Sequence, residues 1–155
     1  MGAQNAQIRG GTEDAEARGM SKPIPTIQKY MTAAPHSIGD DQTIAQAQAH
    51  MKELRVRHLP VLRGGKLVGV LSERDIALIE TLRDVDPQKV TVEDAMSQQV
   101  YTVDPTTPLD HVVSEMAEKK YGSAIVVQNH KVVGIFTTVD VCRALAELLT
   151  TRLAK

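Results

Sequence analysis

Gly69-Val70-Leu71-Ser72-Glu73-Arg74-Asp75 and Gly134-Ile135-Phe136-Thr137-Thr138-Val139-Asp140 are one pattern written twice. A glycine is followed by two apolar residues, a hydroxyl residue, two variable positions and an aspartate. In both copies an apolar run that reads as a strand ends at Leu71 or Phe136 and leads straight into a helical stretch. The hydroxyl residue therefore stands at a helix start, where backbone N–H groups lack intrahelical partners and favour an anion such as phosphate. Asp75 and Asp140 follow within the first turn, where a carboxylate can accept hydrogen bonds from a diol.

Working outward, a shift of 65 residues aligns more than the motif. Met31 falls on Met96, Met51 on Met116, Glu53 on Glu118, Val61 on Val126, Lys66 on Lys131 and Val68 on Val133, without a gap. Apolar character is kept where identity is not: Ile38 falls on Val103, Ile44 on Leu109 and Val70 on Ile135. Such self-similarity fixes architecture more firmly than local propensity. The repeats are placed at 24–80 and 90–149, joined by a polar linker at 81–89.

Within each repeat the periodicity changes in the same order. Ile44, Ala47, Met51 and Leu54, then Leu109, Val112, Val113 and Met116, recur at helical spacing. Short apolar runs follow, 58–62 with 66–71 and 123–127 with 131–136. The turn residues are Gly64-Gly65, a strong hairpin signal, and Asn129-His130, a weaker one. A last helix is expected from about Arg74 to Leu82 and from about Val139 to Leu149. The order per repeat is strand, helix, strand, strand, helix, an α/β chain of the α+β type. A three-stranded sheet with two helices covers only one face, so the two repeats are expected to pack sheet to sheet.

Composition narrows the function classes. Hydrophobic residues make up 42% of the chain but aromatics only 3%, so the core is aliphatic and stacking platforms for single-stranded nucleic acid are scarce. A net charge of -1 with interspersed signs gives no global field to attract nucleic acid or an anionic membrane, so neither is expected as a partner. No run approaches the roughly 20 apolar residues of a membrane span. The single cysteine, Cys142, fits a reducing compartment, and a cytoplasmic location is expected. Residues 1–19 are polar and aperiodic, a flexible tail or a non-native leader, with Met20 as a candidate natural start.

These features resemble the CBS-domain family, named after cystathionine β-synthase. The resemblance rests on Tyr30-Met31-Thr32 and Ala95-Met96-Ser97 opening the repeats, on Leu59-Pro60-Val61 before the first hairpin, and on both copies of the glycine-to-aspartate motif. It covers almost all of 24–149 and implies a tandem pair of the Bateman-module type, with pseudo-twofold symmetry and two clefts between the repeats. The family resemblance further implies binding of AMP or ATP, with ADP, NAD or S-adenosylmethionine as possible ligands. It implies a homodimer of pairs and regulation of a separate, unidentified protein. No cofactor is required.

The resemblance assigns ribose binding to Asp75 and Asp140. It places phosphate near Ser72, Arg74, Thr137, Thr138, Arg57 and His58. Adenine is assigned to Ser37, Ile38, Leu59 and Pro60 in the first repeat, and to Tyr101, Thr102, Val103 and Ala124 in the second. Basic residues are concentrated in the first repeat: Arg57, His58 and Arg74 align with Gly122, Ser123 and Val139. Arg55 reads as a solvated surface residue. The second repeat replaces Leu-Pro-Val by Ala124-Ile125-Val126, which opens the question of whether both clefts bind alike.

The residues alone leave a structural alternative, in which Ser72 and Thr137 are helix N-caps and the aspartates answer the helix dipole. A ligand-free dimerisation module is the corresponding functional alternative. Catalysis lacks an apparatus: Cys142 aligns with Ala77 outside both motifs and is expected as a packed core thiol, and the five histidines show no metal-ligand spacing. Dimerisation is expected through Ile76, Ile79, Leu82, Val141, Leu145, Leu148 and Leu149.

Overall fold

A computed structural model describes residues 23–153; the stretch 1–19 lies outside the described residues. The first repeat comprises α1 (Ile27–Tyr30), β1 (Thr32–Ala33), β2 (Ile38–Gly39), α2 (Ile44–Leu54), β3 (His58–Arg63), β4 (Lys66–Ser72) and α3 (Glu73–Glu80). The second comprises α4 (Val92–Ala95), β5 (Thr102–Val103), α5 (Leu109–Lys119), β6 (Ser123–Gln128), β7 (Lys131–Thr137) and α6 (Thr138–Leu148), followed by a π-helical turn at Leu149–Leu153. The strand, helix, strand, strand, helix order of the sequence is kept. The final helices start one residue earlier than expected, immediately behind the hydroxyl residue that caps them.

The matching elements form for matching reasons. Helix α2 buries Ile44, Ala47 and Met51, and α5 buries the aligned Leu109, Val112 and Met116. Burying each of these larger aliphatic side chains contributes about 1.5–3 kcal/mol. Thr43 and Gln46 cap α2 reciprocally, whereas Pro108 takes the N-cap position of α5. Both helices end on a non-glycine residue in the left-handed region, Arg55 at φ 55° and Lys120 at φ 59°. Strands β2 and β5 lie parallel to β3 and β6, which pair antiparallel with β4 and β7. Each hairpin shifts register at an aligned point, Val61/Leu62 and Val126/Val127. Gly64-Gly65 and Asn129-His130 turn with positive φ at both central residues, so the weaker signal makes the same turn.

The short lead-in segments cross over. Strand β1 of the first repeat joins the second sheet, pairing antiparallel with β7 through Thr32 and Ile135, to give the order β1-β7-β6-β5. Reciprocally, Ser97 bridges to Val70 of β4, with N–H···O distances of 2.9 and 3.0 Å. The cores follow the same exchange. Ile27 is buried with Leu109, Val112, Phe136 and Ala144, and Val92 with Ala47, Leu59, Val61 and Leu71. The repeats at 24–80 and 90–149 follow the chain, but each packing unit borrows its first helix from the other repeat.

Gly69 and Gly134 allow this exchange. A Cβ on Gly69 would lie 2.5 Å from Met96 Sδ and 2.8 Å from the Ser97 carbonyl oxygen; a Cβ on Gly134 would run into the Met31 side chain. The repeated methionine and the repeated glycine are thus two sides of one contact across the pseudo-twofold, where β4 also adjoins β7.

Two expectations are corrected here. Cys142 is exposed: α6 turns Asp140 and Ala144 inward at i and i+4, which places residue 142 on the far face. Ile76 is buried in the first core rather than offered to a partner. Of the other residues expected at a dimer contact, Leu82, Leu145 and Leu149 are exposed, and Leu78 and Val139 join them.

Candidate functional site: two related clefts

Two clefts of about 710 and 570 Å³ open where the repeats meet. The larger contains Ser72, Arg74 and Asp75 from the start of α3, and Ser97, Lys120 and Tyr121 from the second repeat. The smaller contains Thr137, Val139 and Asp140 from the start of α6, and Thr32, Arg55 and Val56 from the first. A shift of 65 residues carries one set onto the other. Neither cleft belongs to one repeat: each joins the motif of one to the crossing segment and the helix C-cap of the other.

At the Asp75 cleft, Ser72 Oγ accepts from Asp75 N–H at 3.0 Å and Asp75 Oδ2 accepts from Ser72 N–H at 2.9 Å. This reciprocal cap is the structural alternative raised by the sequence, and it is made. It engages Oδ2, and no side-chain hydrogen bond among the described residues engages Oδ1. Asp140 is more committed, with 4% of its surface exposed. Its Oδ2 accepts from Thr137 N–H at 2.9 Å and from Thr137 Oγ1 at 3.3 Å. Its Oδ1 accepts from Thr32 Oγ1 at 3.3 Å and from Arg143 Nη1 at 3.4 Å. Capping and ribose binding are compatible at Asp75; at Asp140 a ligand hydroxyl has to displace or share Thr32 and Arg143.

The expected phosphate residues all lie on these walls. Ser72 and Arg74 line the Asp75 cleft and Thr137 lines the Asp140 cleft, while Arg57, His58 and Thr138 line both. The positive charge of the first repeat is thus not confined to the motif of the first repeat. Arg55, expected as a solvated surface residue, is exposed and lines the Asp140 cleft. His58 sits opposite Ser72 in the β3–β4 ladder. Burial lowers its pKa below the ordinary 6.5, Arg57 adds to that, and Asp75 opposes it.

Of the expected adenine residues, only Tyr101 lies on a cleft wall. Its ring stacks on Tyr121 with centroids 5.1 Å apart, and its buried hydroxyl has no hydrogen-bond partner among the described residues. Burial, with Glu115 second, raises its pKa. Leaving that hydroxyl unpaired costs about 1–3 kcal/mol. Ile38, Leu59, Pro60 and Ala124 are buried among core residues, Val103 packs beside the second core, and Ser37 and Thr102 are exposed at β2 and β5. The reason is geometric: the strand before each hairpin is central in its sheet, so its side chains fill the core. Thr32, Ser97, Lys119, Lys120, Tyr121 and Arg143 were missed as wall residues. Thr32 and Ser97 are visible in the repeat alignment, but their place depends on the crossover.

The CBS domain family model matches residues 20–79 and 92–147. The chain belongs to the CBS domain family. Among curated proteins it is 30% identical to the CBS domain-containing protein YhcV of Bacillus subtilis, over 76% of this chain and 83% of that one. It is also 30% identical to the L-aspartate semialdehyde sulfurtransferase of Methanocaldococcus jannaschii, over 83% of this chain but only 25% of that enzyme. Among solved structures, the CBS domain pair of protein MJ0100, in complex with 5'-methylthioadenosine and S-adenosyl-L-methionine, superposes with a TM-score of 0.74 at 28% identity. The match covers 81% of this chain and 98% of that one. No described helix is long and apolar enough to cross a membrane.

Proposed function

We propose that this CBS pair is a cytoplasmic regulatory module that binds an adenine nucleotide, AMP or ATP, in the clefts of Asp75 and Asp140 and passes that occupancy to a separate protein. The observation that carries the reading is the two-fold construction of the clefts: each unites a carboxylate at a helix start, hydroxyl donors and cations contributed by both repeats. That set matches a ribose diol joined to phosphate, with charge-assisted hydrogen bonds to the carboxylate and the cations. The adenosyl compounds bound by the MJ0100 pair favour the same ligand class, and the cations favour a phosphorylated member of it.

The adenine lies against the Tyr101–Tyr121 pair in the Asp75 cleft. The Asp140 cleft has Val56 where the other has Tyr121 and binds the base less tightly. The exposed Leu78, Leu82, Val139, Leu145 and Leu149, at α3, α6 and the segments that follow them, form the contact of a homodimer. Calorimetric titration with adenosine, AMP, ADP, ATP, NAD, S-adenosylmethionine and GTP tests the reading. Adenine compounds are expected to bind, with loss of affinity in Asp75→Ala. Equal binding of ATP and GTP refutes the adenine assignment. A strict monomer in light scattering at tens of micromolar refutes the dimer.

A further inference from the structure

Arg57 and His58 stand before and at the start of β3, and Gly122 and Ser123 occupy the aligned positions before and at the start of β6. The large Arg57–His58 pair of one repeat, a cation beside an imidazole, thus meets the smallest residues of the other. Gly122 lies against the imidazole: a Cβ there would be 3.5 Å from His58 Nε2. With no bulk opposing them across the pseudo-twofold, Arg57 and His58 extend along both clefts, and they line both. Two related binding sites therefore have one copy of this wall between them.

The remaining cations are divided unequally between the clefts. In the Asp140 cleft the other cations are Arg55 and Arg143, and Arg143 is paired with Asp140 at 3.4 Å. In the Asp75 cleft they are Arg74, Lys119 and Lys120, with Lys119 paired to Glu115 at 3.3 Å. Arg57 meets Glu73 at 3.7 Å, but both side chains are largely exposed. Such a pair contributes little and gives way readily to a phosphate.

We propose, building on the nucleotide reading above, that the Arg57–His58 wall is shared between the clefts, so that they bind polyphosphates with negative cooperativity while accepting uncharged adenosyl compounds independently. The first triphosphate draws the shared cation to its side and leaves its own charge beside the second cleft. The second triphosphate then meets one cation fewer and a nearby polyanion. The penalty grows with phosphate charge and shrinks with salt, as screened electrostatics requires. Cleft occupancy thereby depends on the phosphorylation state of the ligand, and ATP at one cleft discourages ATP at the other.

Calorimetry on the full chain with adenosine, AMP and ATP provides the test, at low and at high salt. Adenosine is expected to fill two independent sites, AMP two weakly coupled ones, and ATP two sites whose affinities differ by about tenfold or more beyond the adenosine difference at low salt. Asp75→Asn and Asp140→Asn then weaken one cleft each. In both backgrounds Arg57→Ala is expected to lower ATP affinity, because its side chain serves both sites. Gly122→Arg supplies a second cation where a Cβ has room, and is expected to narrow the ATP gap. Circular dichroism and thermal melts confirm that each variant is folded.

Two ATP sites no more different than the two adenosine sites overturn the proposal. An Arg57→Ala effect confined to one cleft overturns it as well, as does a stoichiometry of one for adenosine and ATP alike. If neither adenosine nor any of its phosphates binds the folded chain, the nucleotide reading itself fails and the shared wall falls with it.

Discussion

Adding one methyl group at Gly134 should damage both the fold and one particular cleft. An alanine Cβ would overlap the Met31 side chain, and the three atoms nearest to it all belong to Met31. Restoring ordinary contact moves the methionine by roughly an ångström, in a segment that β1 pins to β7. Overpacking of this kind typically costs about 1–3 kcal/mol. At roughly 2–4 °C per kcal/mol for a chain of this size, Gly134→Ala should melt about 2–12 °C below the parent. Met31 is followed by Thr32, which lines the Asp140 cleft and donates to Asp140, so binding at that cleft should weaken more than at the Asp75 cleft.

Scanning calorimetry with a double-mutant cycle separates the clash from a general loss of packing. Met31→Ala alone removes packing and destabilises. Combined with Gly134→Ala it should cost less than the sum of the two, because the offending atoms are gone. The aligned pair behaves differently: Gly69→Ala also meets the Ser97 carbonyl oxygen at 2.8 Å, which no side-chain truncation removes. Met96→Ala should therefore rescue Gly69→Ala only in part. If Gly134→Ala melts like the parent, or if Met31→Ala and Gly134→Ala simply add, the crossover contact is not what these glycines serve.

Asp75→Ala removes a charge-assisted acceptor worth roughly 1.5–3 kcal/mol and should weaken AMP at its cleft by about ten- to a hundredfold in calorimetry, with the protein still folded. Asp140→Ala should also lower the melting temperature, and by more than Asp75→Ala, because the buried Asp140 caps α6 and holds Thr32 and Arg143 as well. Arg74→Ala should weaken ATP more than adenosine, with a loss that shrinks as salt rises. His58 gives a pH dependence of known sign: its folded pKa is lowered, so the unfolded chain takes up the proton first as pH falls. Stability is full above about 6.5 and declines as pH drops from there towards the lower folded value, and His58→Gln should flatten that decline in melts between pH 7.5 and 5. Saturating AMP, at a hundredfold excess over its dissociation constant, should stabilise the parent by about 2.7 kcal/mol.

The amino-acid sequence by itself determined the repeat, the order of elements and the two aspartates, because these depend on local spacing: period 3.6 in α2 and α5, a two-residue turn in each hairpin, and a hydroxyl residue followed three positions on by a carboxylate. It also marked Gly69, Gly134, Met31 and Met96 as paired positions without saying what they do. Only the tertiary structure decided which repeat each lead-in segment joins, since Ile27 and Val92 suit either core equally well. That choice places Thr32 beside Asp140 and Ser97 in the cleft of Asp75. The adenine residues assigned to Leu59, Pro60 and Ala124 could not be checked by pattern, because a strand central in its sheet and a strand lining a cleft have the same apolar run. The reach of Arg57 and His58 into both clefts was likewise invisible in one dimension. It depends on the missing side chain at Gly122, just before a different strand, and neighbours between elements exist only after the chain has folded.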